Sequence, residues 1–149
     1  MKRKLSLFLT LCLALLCVLC AVGCGEKDKS NLKCTLVEST QTRVVISVSD
    51  EGVNCTLLDC MEILRQSQDT DFTFTFFNGM ITSINGVENP ADWSYCWMLY
   101  TSDEEMANTA WGTTGYEGKT LGSAIVGASE LDVIAGGVYV WSYDGFKEE

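Results

Sequence analysis

The 149 residues include ten basic and twenty acidic ones and no histidine, which gives a net charge of −10. Such a charge opposes nucleic acid and anionic phospholipid as partners. The lack of histidine removes Ser-His and Cys-His pairs, the commonest general base at neutral pH and mixed Cys/His zinc sites, so neither an enzyme nor a metal or other cofactor is expected.

The chain starts with Lys2-Arg3-Lys4, then an apolar stretch from Leu5 to Val22, then Gly23-Cys24. A basic start, an apolar run and a small residue before the break make a secretory signal, here residues 1–23, which processing removes. Cys24 follows Gly23, a small residue of the kind lipid transfer prefers, whereas Cys12, Cys17 and Cys20 follow the bulky Leu11, Leu16 and Leu19. The expectation is a bacterial lipoprotein acylated at Cys24 and held on the extracytoplasmic face of the membrane. Lasting anchorage needs two or more acyl chains. About 18 mostly apolar residues also suffice for an uncleaved membrane helix, which changes the anchor but not the side on which the domain sits. Cleavage to a free N-terminus is a further option, and it leaves Cys24 without a role.

Without the signal, 126 residues remain, with seven basic against twenty acidic side chains and a net charge of −13. That length suits one domain with a moderate core. Residues 24–33 are polar apart from Cys24 and Leu32, and read as a tether carrying the lipidated cysteine; residues 34–149 are the folded domain. Cys34, Cys55, Cys60 and Cys96 fall within it, and four cysteines allow three pairings. Their spacing contains no CxxC pair, and Cys60 on a helix and Cys96 in a strand suit buried core thiols.

In chain order, β-branched residues predict a strand pair at Cys34–Ser39 and Arg43–Ser49 with a turn at Thr40-Gln41-Thr42. Asp50-Glu51-Gly52-Val53-Asn54 breaks the pattern. Leu57, Leu58, Met61 and Leu64 make one apolar helical face, so Thr56–Gln68 is the single predicted helix, capped by Thr56 or Asn54. From Asp71 the period is two, with Phe72, Phe74 and Phe76 on one face. Asn78-Gly79 and Asn85-Gly86, on either side of a Met80–Ile84 strand, are tight-turn signals and make a meander. Trp93–Tyr100 and Val138–Tyr143 are predicted central strands, and Ala135-Gly136-Gly137 turns the chain into the second. Residues 101–130 between them are polar and weakly periodic and read as a long excursion. The fold class is α+β, a small, mostly antiparallel sheet packed on one helix.

Little in this pattern suits chemistry. Asp59 and Glu62 read as the outer face of the helix, and Asp103-Glu104-Glu105 lacks the spaced pattern of a calcium loop. The aromatic residues stand out, because nine Trp and Tyr side chains crowd into the stretch from Trp93 to Tyr143. A small domain leaves some of them partly exposed, and an aromatic surface beside a loop holds a flat ligand, a sugar ring or a protein partner. Trp93, Tyr95, Trp97, Trp111 and Tyr116 are the candidate ligand-binding residues.

The order of strand pair, helix, Gly79-Met80-Ile81-Thr82-Ser83-Ile84-Asn85-Gly86-Val87, the Trp97-Met98 strand, a glycine-bearing excursion and Gly136-Gly137-Val138-Tyr139-Val140-Trp141-Ser142-Tyr143 resembles the transcobalamin-like C-terminal domain family (domain of unknown function 4430). The resemblance runs from about Thr35 to Tyr143 and implies a β-grasp-like sheet on one helix. It also implies binding without chemistry, with a corrinoid such as cobalamin as the ligand class, and it places Trp97 and the segment bearing Trp111 where the family carries ligand contacts. Two functions are expected from this: a lipid-anchored extracytoplasmic domain for a small ligand, or a cell-surface module contacting an envelope protein or polymer. Cys24→Ala should shift the protein from the membrane to the secreted fraction or stall its precursor, as read by fractionation and immunoblotting. Membrane retention of an uncleaved precursor in the unmutated protein would instead mark a helical anchor.

Overall fold

The computed structural model describes residues 32–49 and 55–145. The signal segment, Cys24, the tether up to residue 31 and the break at Asp50–Asn54 lie outside the described residues. Leu32, at the end of the expected tether, is buried and packs into the core. Among the described residues no helix is long and apolar enough to cross a membrane.

Among the described residues, nine strands and one α-helix follow in the order β1 (Cys34–Ser39), β2 (Arg43–Val48), α1 (Leu57–Gln66), β3 (Phe74–Phe77), β4 (Met80–Ile84), β5 (Val87–Glu88), β6 (Tyr95–Thr101), β7 (Ala107–Tyr116), β8 (Lys119–Ala124) and β9 (Val138–Gly145). They form a six-stranded sheet, ordered β1-β2-β9-β6-β8-β7, and a three-stranded meander, β3-β4-β5. Every pairing is antiparallel. The fold is therefore α+β, mostly antiparallel with one helix, and the two aromatic strands β9 and β6 lie side by side in the middle of the large sheet.

The helix starts at a reciprocal cap. Thr56 Oγ1 accepts from the Asp59 amide at 3.4 Å, and the Thr56 amide donates to Asp59 Oδ2 at 2.9 Å, so Asp59 caps the helix from its half-buried first turn. The loop after β8 satisfies two further helix amides, as Leu57 N donates to the Leu131 carbonyl at 2.8 Å and Leu58 N to that of Ala128 at 2.9 Å. Leu57, Cys60, Met61 and Leu64 are buried on one face of the helix, and each fully buried apolar side chain of that size is worth about 1.5–3 kcal/mol. They pack on the face of the large sheet that presents Val44, Ile46, Trp97, Leu99, Tyr139 and Trp141. The intervening positions Val45, Tyr100, Leu121 and Val140 form a smaller cluster, as the alternation of side chains along a strand requires.

The structure corrects three expectations. Phe72 and Phe74 are buried but Phe76 is exposed, because a register shift between Thr75 and Phe76 ends the alternation. Trp93 lies before β6, in a turn, with its backbone in the left-handed region at φ 56°. Residues 101–130 are not a structureless excursion but contain a short 3-10 turn (Glu104–Met106), β7 and β8. Their weak periodicity has a physical cause. β7 is an edge strand rich in Thr, Gly and Ala, mostly without a buried face, and its register against β8 shifts between Asn108 and Thr113.

Both Asn-Gly pairs are tight turns with positive φ at both positions, 48° and 83° at Asn78-Gly79 and 49° and 79° at Asn85-Gly86, as type I′ hairpins require. Asn85 also ties the meander to the large sheet. Its Nδ2 donates to Ser39 Oγ at 2.8 Å and to the Thr40 carbonyl at 3.0 Å, while its Oδ1 accepts from Thr73 N at 3.2 Å. Asn85→Gly keeps the backbone conformation and removes all three bonds, so it should cost about 1–3 kcal/mol. Thermal denaturation should show Tm lower by several degrees, with the same far-UV spectrum.

Candidate functional site

A cavity of about 330 Å3 opens where the meander meets the large sheet. Its floor is the core face of the two central strands, where Leu99 on β6 sits opposite Trp141 on β9, with Trp97 two residues away. Met80 and Ile81 of β4 form one wall, and Ile125 and Val126, after β8, form another. That second wall runs directly into Ala128, whose carbonyl is bonded to the helix amide of Leu58, so the helix cap fixes the wall's position.

Asn89 joins the first wall to the floor: its amide N donates to the Thr82 carbonyl at 2.9 Å, its Nδ2 to that of Ile81 at 3.3 Å, and its Oδ1 accepts from Trp97 N at 3.0 Å. Trp97 Nε1 donates to the Val87 carbonyl at 2.9 Å, so this tryptophan is polar-satisfied and rigid. Trp141 differs. Its residue is 4 % exposed, it lines the same cavity, and its Nε1 is buried without a hydrogen-bond partner. No lining residue carries a formal charge at neutral pH, in contrast to the acidic chain around it. Cys96, also in the lining, has its thiol pKa pushed up by burial and by Asp144, so it stays neutral.

Trp93 stands at the rim, 47 % exposed. Its turn is closed by Trp93 N donating to the Pro90 carbonyl at 3.0 Å and by Ser94 N and Oγ donating to Asp92 Oδ1 at 3.1 and 2.9 Å. The same two bonds hold the Asp92 carboxyl below its usual pKa. A bulky residue in the left-handed region is strained, and such strain persists only where the surroundings enforce it.

Of the five residues singled out from the sequence, Trp93 and Trp97 share this groove and the others lie elsewhere. Tyr95 stacks on Tyr143 at 5.7 Å, with its ring over Gly145, where a Cβ would come within 2.8 Å of it. Trp111, 61 % exposed, lies on edge strand β7 beside a shallow depression shared with Tyr100 and Asp144. Tyr116 packs against the cluster of Val45, Tyr100, Leu121 and Val140. Trp141, Met80, Met98, Ile125 and Val126 complete the groove. Trp141 belongs to the aromatic surplus but not to those five, and the aliphatic residues carry no sequence signal for a site.

Two buried tyrosines set the alkaline limit of the fold. Burial, followed by a 2.9 Å hydrogen bond to Asp144 Oδ2 and the charge of Asp144, pushes Tyr100 up to about 12, and burial does the same for Tyr139. Folded values above the ordinary 10.0 mean that this stability is complete below pH 10 and is lost as the pH rises through 12. Tyrosinate absorbance should show Tyr100 and Tyr139 ionising last, together with loss of the folded near-UV signal. Their ionisation near pH 10 with the fold intact would contradict this.

No curated protein and no solved structure matches the chain. Residues 56–115 match the model of a family described as a domain of unknown function (DUF4430). The matched stretch runs from the helix cap to the penultimate residue of β7, and so takes in α1, the meander and β6. The family matched over residues 56–115 is the one that the order of motifs resembles.

Proposed function

We propose that this is a lipid-anchored, extracytoplasmic, non-catalytic binding domain whose groove takes a small uncharged ligand with a flat apolar body and a hydrogen-bond acceptor. The observation that carries the reading is Trp141, which lies in the floor of a mostly apolar, uncharged groove and whose buried Nε1 has no hydrogen-bond partner. An unsatisfied buried donor costs about 1–3 kcal/mol, which a ligand oxygen placed against it recovers. Three tryptophans and two methionines around the cavity supply polarisable surface for a ring. The address rests on the N-terminal signal and Cys24. The β-grasp-like, transcobalamin C-terminal-like character of the fold belongs to the same reading and is supported by the packing of α1 across an antiparallel sheet.

A cavity of about 330 Å3 lies at the small end of the range for ligand sites, about 300–1,000 Å3. A corrinoid, the ligand class the family resemblance implies, therefore rests on the groove by one edge, whereas a bicyclic ligand is enclosed. Equilibrium dialysis of the purified protein against cobinamide, cobalamin, naphthamide and methylnaphthalene separates these cases. Naphthamide should bind saturably, and Trp141→Phe should weaken it about tenfold, the equivalent of one lost hydrogen bond of ~1.4 kcal/mol, with methylnaphthalene unaffected. Absence of saturable binding by all four at high micromolar concentration would overturn the small-ligand reading, and absence for the two corrinoids alone would remove only that class.

One observation favours a surface interaction module instead. The edge strands β7 and β3 carry the exposed Trp111 and Phe77, and an open strand edge accepts a partner strand. In that reading a photocrosslinker at position 111 captures an envelope protein while the groove binds none of the four probes.

A further inference from the structure

Cys34 is the first residue of β1, and β1 is the outermost strand of the large sheet, held by β2 alone. Its side chain is half-buried and faces the helix, with Sγ 3.6 Å from the carbonyl oxygen of Cys60. The Cys60 side chain is fully buried in the core face of α1, so the contact of Cys34 Sγ with the Cys60 backbone sets the two cysteines side by side between β1 and the helix. A disulfide needs the sulfurs at about 2.05 Å, with the Cα atoms about 4.4–6.8 Å apart. With the Cys34 sulfur already against the backbone of Cys60, rotation of the two side chains is the movement that brings the sulfurs to the first distance. The bridge would join residues separated by 26 positions and fasten an edge strand to the helix across the core.

We propose that Cys34 and Cys60 form a disulfide that locks β1 onto the helix, made by exchange with a small-molecule disulfide such as oxidised glutathione. Cys34 is the attacking thiol. It is the more accessible of the two, and the Cys60 thiol beside it favours its thiolate, which lowers its pKa. Its sulfur attacks the oxidant, one glutathione thiolate leaves, and a mixed disulfide forms on Cys34. Cys60 then loses its proton and attacks the Cys34 sulfur, releasing the second glutathione. Two protein thiols are oxidised, and one oxidised glutathione is reduced to two thiols that take up the two protons. The neighbouring Cys34 thiol, burial and the nearby Cys55 and Asp59 push the Cys60 thiol up, so the second step is the slower one and the mixed disulfide is observable. An extracytoplasmic compartment is where such a bond persists, but the geometry does not depend on that address.

The test uses the full chain in detergent, incubated with oxidised glutathione and then mapped by mass spectrometry. A Cys34–Cys60 cross-link with a loss of two mass units is expected, preceded by a transient glutathione adduct on Cys34. Closing a loop of this size raises Tm on the order of 10 °C, and dithiothreitol reverses the rise. Backbone amides of β1 should exchange hydrogen more slowly in the oxidised form. Cys34→Ser should abolish both cross-link and Tm rise, whereas Cys55→Ser and Cys96→Ser should retain them. A Cys55–Cys60 link, a glutathione adduct that never resolves, or thiols that remain fully alkylatable after oxidation would each overturn the proposal.

Discussion

The register between the two central strands is the constraint on which the rest of the structure depends. Seven consecutive pairs, from Tyr95 opposite Gly145 to Thr101 opposite Tyr139, fix β6 against β9. Because side chains alternate, this one register puts Trp97, Leu99, Tyr139 and Trp141 together on the face that meets the helix. A slip by one residue would exchange that set for Met98, Tyr100 and Val140, which support only the smaller cluster. The helix cap, the wall after β8 and the meander all pack on the surface the register creates.

Polar side chains at the junction of the two sheets then decide what the surface becomes. Asn85 ties the meander to the end of β1 and Asn89 ties it to β6, so the two sheets are joined by side-chain amides rather than by a shared ladder. The gap between those ties and the loop docked on the helix N-terminus is the groove. Trp97 and Trp141 illustrate the result. They face the same cavity, yet one indole N–H is bonded to a meander carbonyl and the other has no acceptor. The first is used by the architecture, and the second is not.

Several elements were legible because their signals are local. Asn78-Gly79 and Asn85-Gly86 specify their turns through positive φ, and the stripe of Leu57, Met61 and Leu64 specifies the helix. The aromatic and β-branched strands are marked by composition. β7 was not legible, since a strand on the sheet edge that buries little has no reason to alternate, and its bulge removes what period remains; β8, between β6 and β7, buries Leu121, Gly122 and Ser123 in a row and so does not alternate either. The site was legible only in part. Trp93 and Trp97 are close in sequence to one strand, whereas Tyr95, Trp111 and Tyr116 share their composition but not their location. Met80 on β4 and Ile125-Val126 after β8 come from two distant parts of the chain and look like any core aliphatic.

By itself the sequence determined the class of the molecule: an acidic, histidine-free chain with one helix, two Asn-Gly turns, two aromatic strands and a segment with the features of an exported lipoprotein. These follow from residue type and short-range spacing, which act through local backbone preference and net charge. The tertiary structure alone decided which tryptophans share a cavity, which indole lacks a partner and that Cys34 meets Cys60. Those are relations between residues tens of positions apart, set by strand register and helix docking, and no local preference encodes them.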